Sequence, residues 1–376
     1  MKRRNFMLAA SGGAAIAMSP LFARALSSPR VIRFGQSASL TGGQASYGKD
    51  VQSGIAAAFA GASANEAQTG VRYELVTLDD GGVRSRCLKN ALSLVESNIA
   101  ALIGFTSGAG AEACLPVIED SKIAMLGTAS GNMGIRAASV SGVFHVRAGY
   151  DTEYRRMIAY AKDVGMQRVG IVYLGDTSRA NQDAMAAALQ SLAVAPKVSI
   201  AIDRNATSFD SVASELLAAK LDFVLFTANA TPVAKIIDLL RQAKYPGLFY
   251  ASSFAGQDLI DSLAAKQQSC VMSTVVPRPT AKGLGVVANC QRDLALLNNG
   301  ARIGITTLEG YIAGRIAVEA SQAALKVGSP SVAHVRDALA GLRTDLGGYK
   351  VDFVGGAQGS RYVDLLAIDR YGRLVG

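Results

Sequence analysis

Short apolar runs alternate with longer stretches whose apolar positions recur at helical spacing, from residue 31 almost to the end of the chain. Strand-like runs fall at 31–34, 71–78, 100–105, 123–126 and 143–146, with helices predicted at 47–63, 84–97 and 110–120. In the second of these helices Leu88, Leu92 and Val95 form the expected inward stripe. A second series begins near Tyr150, with strands at 168–173, 197–202, 222–226 and 248–251 and helices at 152–164, 178–192, 208–220 and 232–243. Strands that are apolar throughout are buried on both faces, and the helices between them supply the covering layers. That combination gives parallel sheets built from right-handed crossovers. Two such series predict an α/β fold of two Rossmann-like lobes.

The segments between and after the two series define a hinge. Residues 143–149 pass from strand to small-residue step with no Pro- or Ser-rich linker, and the apolar run 271–276 is stopped by Pro277. Helices are expected at 283–299, 306–326 and 331–340, followed by β-like segments at 349–354 and 362–368. The chain thus leaves one lobe, builds the other, returns and crosses again, so the joint has several strands. The expected division is 30–147 plus 277–341 for the N-terminal lobe and 148–276 plus 342–376 for the C-terminal lobe. Ligands of open α/β sheets sit at the carboxyl ends of the strands. Two lobes facing across a hinge put those loops into one cleft that can close.

With 376 residues, half of them apolar and 18% charged, the chain can bury two sizeable cores. No stretch beyond the N-terminus approaches the roughly 20 apolar residues that span a bilayer. Residues 1–25 read as an export signal, with Lys2-Arg3-Arg4, a weakly apolar 7–22, and Ala23-Arg24-Ala25 around a cleavage site near Ala25. Residues 2–8 resemble a twin-arginine signal, an ordinary secretory signal being the alternative. The formal charge of +9 falls to about +5 without Lys2, Arg3, Arg4 and Arg24, and the remaining basic residues are scattered. That describes a solvated surface rather than a nucleic-acid face. His145 and His334 stand far apart, which argues against a metal site or a catalytic histidine, and no cofactor is expected. In an oxidising compartment Cys87 and Cys114, on consecutive predicted helices, are the favoured disulfide. Cys270 with Cys290 is a weaker pairing, and four free buried thiols are the remaining possibility.

The candidate chemistry lies in strand-end loops. The segment Ser39-Leu40-Thr41-Gly42-Gly43-Gln44-Ala45-Ser46-Tyr47-Gly48 joins the first strand to an Ala-rich helix and turns backbone N–H groups toward a cleft, with Tyr47 at the helix mouth. Asp79-Asp80-Gly81, Ile103-Gly104-Phe105-Thr106-Ser107-Gly108, Gly127-Thr128-Ala129-Ser130-Gly131-Asn132 and Phe144-His145-Val146-Arg147 follow in order. In that order and spacing the chain resembles type I periplasmic solute-binding proteins of the branched-chain amino-acid (Leu/Ile/Val-binding) group, from about residue 31 to 368. The resemblance implies a non-enzymatic periplasmic receptor that captures an amino acid, amide or carboxylate between two lobes and delivers it to ABC transporter permease subunits. It also implies that the ligand carboxylate meets Ser107-Gly108-Ala109 and Ala129-Ser130-Gly131.

The chain departs from the pattern of that group. A Ser usually stands where Gly108 does, and often a Thr where Gly131 does. Asp176-Thr177-Ser178-Arg179 replaces a Tyr-Gly step, and Ala251-Ser252-Ser253-Phe254 stands where a carboxylate meets the ligand ammonium. Asp176, Thr177 and Ser253 are therefore candidate second-lobe contacts, with Tyr47, Tyr150 and Phe254 expected along the apolar part of the ligand. A buried ammonium without a carboxylate leaves its desolvation poorly compensated. A carboxylate lacking an amino group, or an amide, thus stands beside an amino acid as the expected solute. Two other readings are a sensor that reports to a signalling partner and an exported dinucleotide-dependent enzyme. Residues 108–113 fit G-x-G-x-x-A, but Gly127-Thr128 stand where the next strand would need an acidic end.

Overall fold

The computed structural model describes residues 29–376, so the expected export signal lies outside the described residues. The first series of strands forms a five-stranded parallel sheet: β1 (Arg30–Ala38), β2 (Val71–Asp79), β3 (Ala101–Ile103), β4 (Met125–Leu126) and β5 (Val143–Phe144), in the order β2-β1-β3-β4-β5. The second forms a seven-stranded sheet. Its parallel part runs β7-β6-β8-β9-β10, from β6 (Val169–Leu174), β7 (Pro196–Ile202), β8 (Phe223–Thr227), β9 (Leu248–Ala251) and β10 (Cys270–Thr274). β11 (Arg343–Asp345) and β12 (Lys350–Asp352) make a separate antiparallel pair, while β13 (Asp364–Ile368) and β14 (Leu374–Val375) extend the second sheet antiparallel beyond β10. The proline-stopped run at 271–276 is therefore a strand of the second lobe as well as an exit from it.

The first lobe carries α1 (Ala45–Ser63), α2 (Glu66–Thr69), α3 (Arg84–Val95), α4 (Gly108–Ala113) and α5 (Leu115–Ser121). The single helix expected at 110–120 is two, because Pro116 in the first turn of α5 has no N–H to continue α4. In α3 the inward residues are Cys87, Ala91 and Leu94, not the Leu88-Leu92-Val95 stripe; Leu92 is half exposed. The alanine and cysteine positions hide that face from a reading based on large apolar residues. The second lobe carries α6 (Tyr150–Asp163), α7 (Arg179–Ser191), α8 (Asp210–Ala218), α9 (Ala230–Gln242) and α10 (Gly256–Ala265), the last without a predicted counterpart.

α11 (Gly285–Ala295), α12 (Ile305–Lys326) and α13 (Val332–Ala340) follow the return crossing. α12 lies along α1 almost backbone to backbone. A Cβ at Gly54 would come within 2.0 Å of Thr307 O, and one at Gly310 within 2.3 Å of Val51 O. The helix pair therefore packs at a distance only glycine permits, which explains why 16 of the 22 residues of α12 are buried.

Three chain crossings join the sheets, after β5, after β10 and around β11–β12. Tyr349, fully buried, brings its hydroxyl within 2.8 Å of Val146 O and 3.0 Å of Val275 O, one carbonyl from each of the other two crossings. Arg147 is also buried at this joint. It reaches Glu153 of α6 at 2.5 Å, Glu309 of α12 at 3.0 Å and Ser253 Oγ at 2.7 Å, so one guanidinium is shared by both lobes. His145 lies in the same crossing with Nε2 3.1 Å from Ile135 O, and burial holds its pKa well below the usual value.

The four cysteines are free and buried. Cys87 and Cys114 are neighbours, with Cys114 Sγ 3.8 Å from Cys87 O, but the expected bridge is not formed. Cys270 sits in β10 and Cys290 in α11, whose helix packs on α1 of the other lobe, so the second pairing has no geometric basis.

Candidate functional site

The carboxyl ends of both sheets face one another across a narrow cleft of about 40 Å³. From the first lobe, Gln44 follows β1, Ser107, Gly108 and Ala109 follow β3, and Ser130 and Asn132 follow β4. Tyr150 and Tyr154 come from the start of α6 and stack with ring centroids 5.7 Å apart. From the second lobe, Asp176, Thr177 and Ser178 follow β6, Arg204 follows β7, and Ser252 and Phe254 follow β9. Both sheets reverse strand order here, β2-β1-β3 in one and β7-β6-β8 in the other, and such switch points open a crevice at the strand ends.

Two hydrogen bonds tie the lobes across the mouth. The Met133 N–H donates to Asn181 Oδ1 at 2.7 Å, and Ser178 Oγ donates to Glu112 Oε1 at 3.2 Å. Asn181 also donates through Nδ2 to Thr177 Oγ1 at 2.7 Å. The cleft is thus in its shut arrangement.

Ser107, Gly108, Ala109, Ser130, Tyr150, Asp176, Thr177 and Phe254, all expected from sequence, line the cleft together. Ser107 caps α4 by accepting the Gly110 N–H at 3.0 Å, which leaves its own hydrogen free to donate. The glycine at 108 has a direct cause: a Cβ there would lie 2.5 Å from Ser130 Oγ and 2.8 Å from Asn132 Cβ. The Ser130 hydroxyl occupies the space that a side chain at 108 would fill. It sits 3.3 Å from Tyr150 Oη, whose phenol burial raises to about 12, so the tyrosine stays a proton donor. Gly131 is needed for the same closeness, since a Cβ would meet the Tyr150 ring at 2.4 Å.

The remaining four expected residues do not line the cleft. Tyr47 is buried beneath it, donating to Ala129 O at 2.8 Å and meeting Phe254 edge-on at 6.2 Å between centroids. Ala129 and Gly131 form the backbone behind Ser130. Ser253 is spent on the joint: its N–H and hydroxyl both reach the Glu153 carboxylate, at 2.9 and 3.0 Å. The Asp79-Asp80-Gly81 motif is likewise structural. Asp79 accepts from Leu40 N–H, Thr41 Oγ1 and Gly81 N–H, which ties down the Gly-rich loop and holds the carboxyl below its usual pKa. Only Gln44 of that loop reaches the cleft.

Two groups on the cleft wall escaped the sequence reading. Arg204 is the single basic side chain on the cleft wall and grips Asp176 bidentately at 2.9 and 2.7 Å; its Nη1 engages no protein group among the described residues. Ser252 is 1% exposed, and its Oγ has no hydrogen-bond partner among the described residues. Arg204 follows an edge strand rather than a motif, and the Ser252-Ser253 pair leaves nothing in the sequence to say which serine faces the ligand.

The chain belongs to the periplasmic binding protein family, whose model matches residues 31–368. Solved structures of the same fold include a possible leucine/isoleucine/valine-binding protein from Rhodopirellula baltica, 24% identical, covering 93% of this chain and 97% of that one at a TM-score of 0.83. A branched-chain amino-acid ABC transporter protein from Thermus thermophilus with bound valine is 16% identical, covering 92% and 95%, at 0.83. A solute-binding protein of R. palustris in complex with 4-hydroxybenzoate is 13% identical, covering 89% and 92%, at 0.76. No curated protein matches the sequence. The family and these neighbours are binding proteins rather than enzymes, so the G-x-G-x-x-A segment, which forms α4 itself, is not a dinucleotide site.

Proposed function

We propose that this chain is an exported receptor that closes on a small organic carboxylate and hands it to an ABC importer. One observation carries the reading: Ser252 Oγ, on the wall of a cleft to which both lobes contribute, is buried without a partner among the described residues. Leaving a buried hydroxyl unpaired costs about 1–3 kcal/mol, which a polar ligand atom recovers. Arg204, although paired with Asp176, keeps Nη1 as a donor for a ligand oxygen. Asp176, the one acid on the wall, already has both oxygens on Arg204, which favours a carboxylate without an amino group over an amino acid. Valine and 4-hydroxybenzoate, the ligands of two neighbours, both carry a carboxylate. A ligand shifts the hinge only by touching both lobes. Ser107 and Ser130 on one side, with Ser252 and Arg204 on the other, meet that condition. The moving bodies in this reading are residues 30–147 with 277–341 and residues 148–276 with 342–376.

A thermal-shift panel of aliphatic and aromatic carboxylates, amino acids and amides tests the reading. A ligand at 100 times its Kd adds about 2.7 kcal/mol of stability. Carboxylates are expected to raise Tm in the wild type and clearly less in Ser252→Ala, whose unliganded Tm is equal or higher. Stabilisation by amino acids alone, or by nothing in the panel, defeats the reading.

A further inference from the structure

The polar cleft is too small for an organic solute of any length. At about 40 Å³, with a water needing some 10–15 Å³, it holds about three water-sized groups: a carboxylate and the carbon that bears it. Directly beside it, between α7 and β7 of the second lobe, lies a half-open groove of about 460 Å³ whose rim residues Ala186, Gln190, Ala195, Pro196 and Ser199 are exposed. The two share Tyr154, Thr177, Asn181 and Thr227 as a common wall. Beyond that wall the lining turns apolar, with Ile171 and Tyr173 of β6, Met185 and Leu189 of α7, and Val194 and Pro196 leading into β7.

The sequence explains why this space stays open. Of the α7 residues that line it, Ala186 is too short to reach the edge strand β7, while Gln182, Met185, Leu189 and Gln190 form its sides. On β7 the residue lining the gap is Ser199, equally short. A short residue on each element, Ala186 and Ser199, leaves the trough open between them.

We infer that this groove seats the apolar tail of the ligand whose carboxylate occupies the cleft, which makes the solute class an unbranched or aryl-ended carboxylic acid. The inference rests on the carboxylate reading above and adds to it a location and a shape. The sizes fit, since 460 Å³ lies within the 300–1,000 Å³ of small-molecule sites. The polarity also fits: hydroxyls, amides and one guanidinium surround the head, while the groove is lined mainly by aliphatic and tyrosine side chains, with Gln182, Gln190 and Ser199 at its margin. The Thr177–Asn181 hydrogen bond is the partition the tail passes, at the residue that Met133 grips from the other lobe.

Titration calorimetry of the full mature chain with acetate, butanoate, hexanoate, octanoate and decanoate tests this. Each methylene that enters an apolar site is expected to tighten Kd about fourfold until the groove is full. Ser199→Phe on the exposed edge strand, and separately Ala186→Phe on α7, fill the trough; in both the gain with chain length is expected to disappear. Acetate binding with no gain on lengthening the chain in the wild type overturns the tail site and leaves the carboxylate reading standing. No binding by any member overturns both. An undiminished gain in both folded variants places the tail elsewhere and overturns this site, and the wild-type series decides even where a variant does not fold.

Discussion

At the scale of single residues, the buried Arg147 has the largest energetic consequence. It is enclosed by Glu153, Glu309, Ser253 and the ring of Tyr150, and burial raises the pKa of Glu309 although Arg147 acts to lower it. Removing the guanidinium leaves two buried carboxylates facing each other. Arg147→Met is expected to cost about 3–5 kcal/mol of stability, measured by urea unfolding. An unchanged midpoint would show that the cluster is solvated. Residue-scale chemistry was only partly legible in the sequence. Loops after strands are legible because Gly, Ser and Thr mark them, and Ser107 and Ser130 from two such loops line the cleft. Tyr47 and Ser253 lie one layer deeper, and nothing in a linear pattern separates a residue that lines a wall from one that braces it.

At the scale of elements, α1 and α10 bring Asp50 of one lobe near Asp258 and Asp261 of the other. Burial, then the two neighbouring carboxylates, raise the Asp50 pKa to about 7. The folded chain therefore keeps a proton that the unfolded chain releases above about pH 4. Stability is expected to fall as pH rises from about 4 to 7 and to stay lowered above that. Because Asp50 is partly solvated, the cost is of order 1–2 kcal/mol. Asp50→Asn is expected to remove the slope, read as Tm at pH 5 and pH 8; an identical slope in the variant would refute the assignment. Elements themselves were the most legible level. Two-sided apolar strands such as 169–174 and 223–227 stand out because parallel sheets bury both faces. The inward face of α3 and the helix α10 were not legible: one buries alanine and cysteine, and the other begins at Gly256, whose positive φ reads as a turn.

At the scale of the whole molecule, two lobes and a hinge followed from the order of segments, whereas which lobe holds the greater part of the ligand did not. That property belongs to a space between α7 and β7, and empty space leaves no letters in a sequence. The hinge has a mechanical consequence of its own. Tyr349 has one hydroxyl proton and two carbonyls, from separate crossings, within reach of it. The three crossings meet at this one hydroxyl, which restrains them from sliding past each other. Tyr349→Phe unpins the strands, and distances between spin labels on the two lobes are expected to broaden from two narrow populations into a continuous spread. Two populations as narrow as in the wild type would mean that the restraint lies elsewhere.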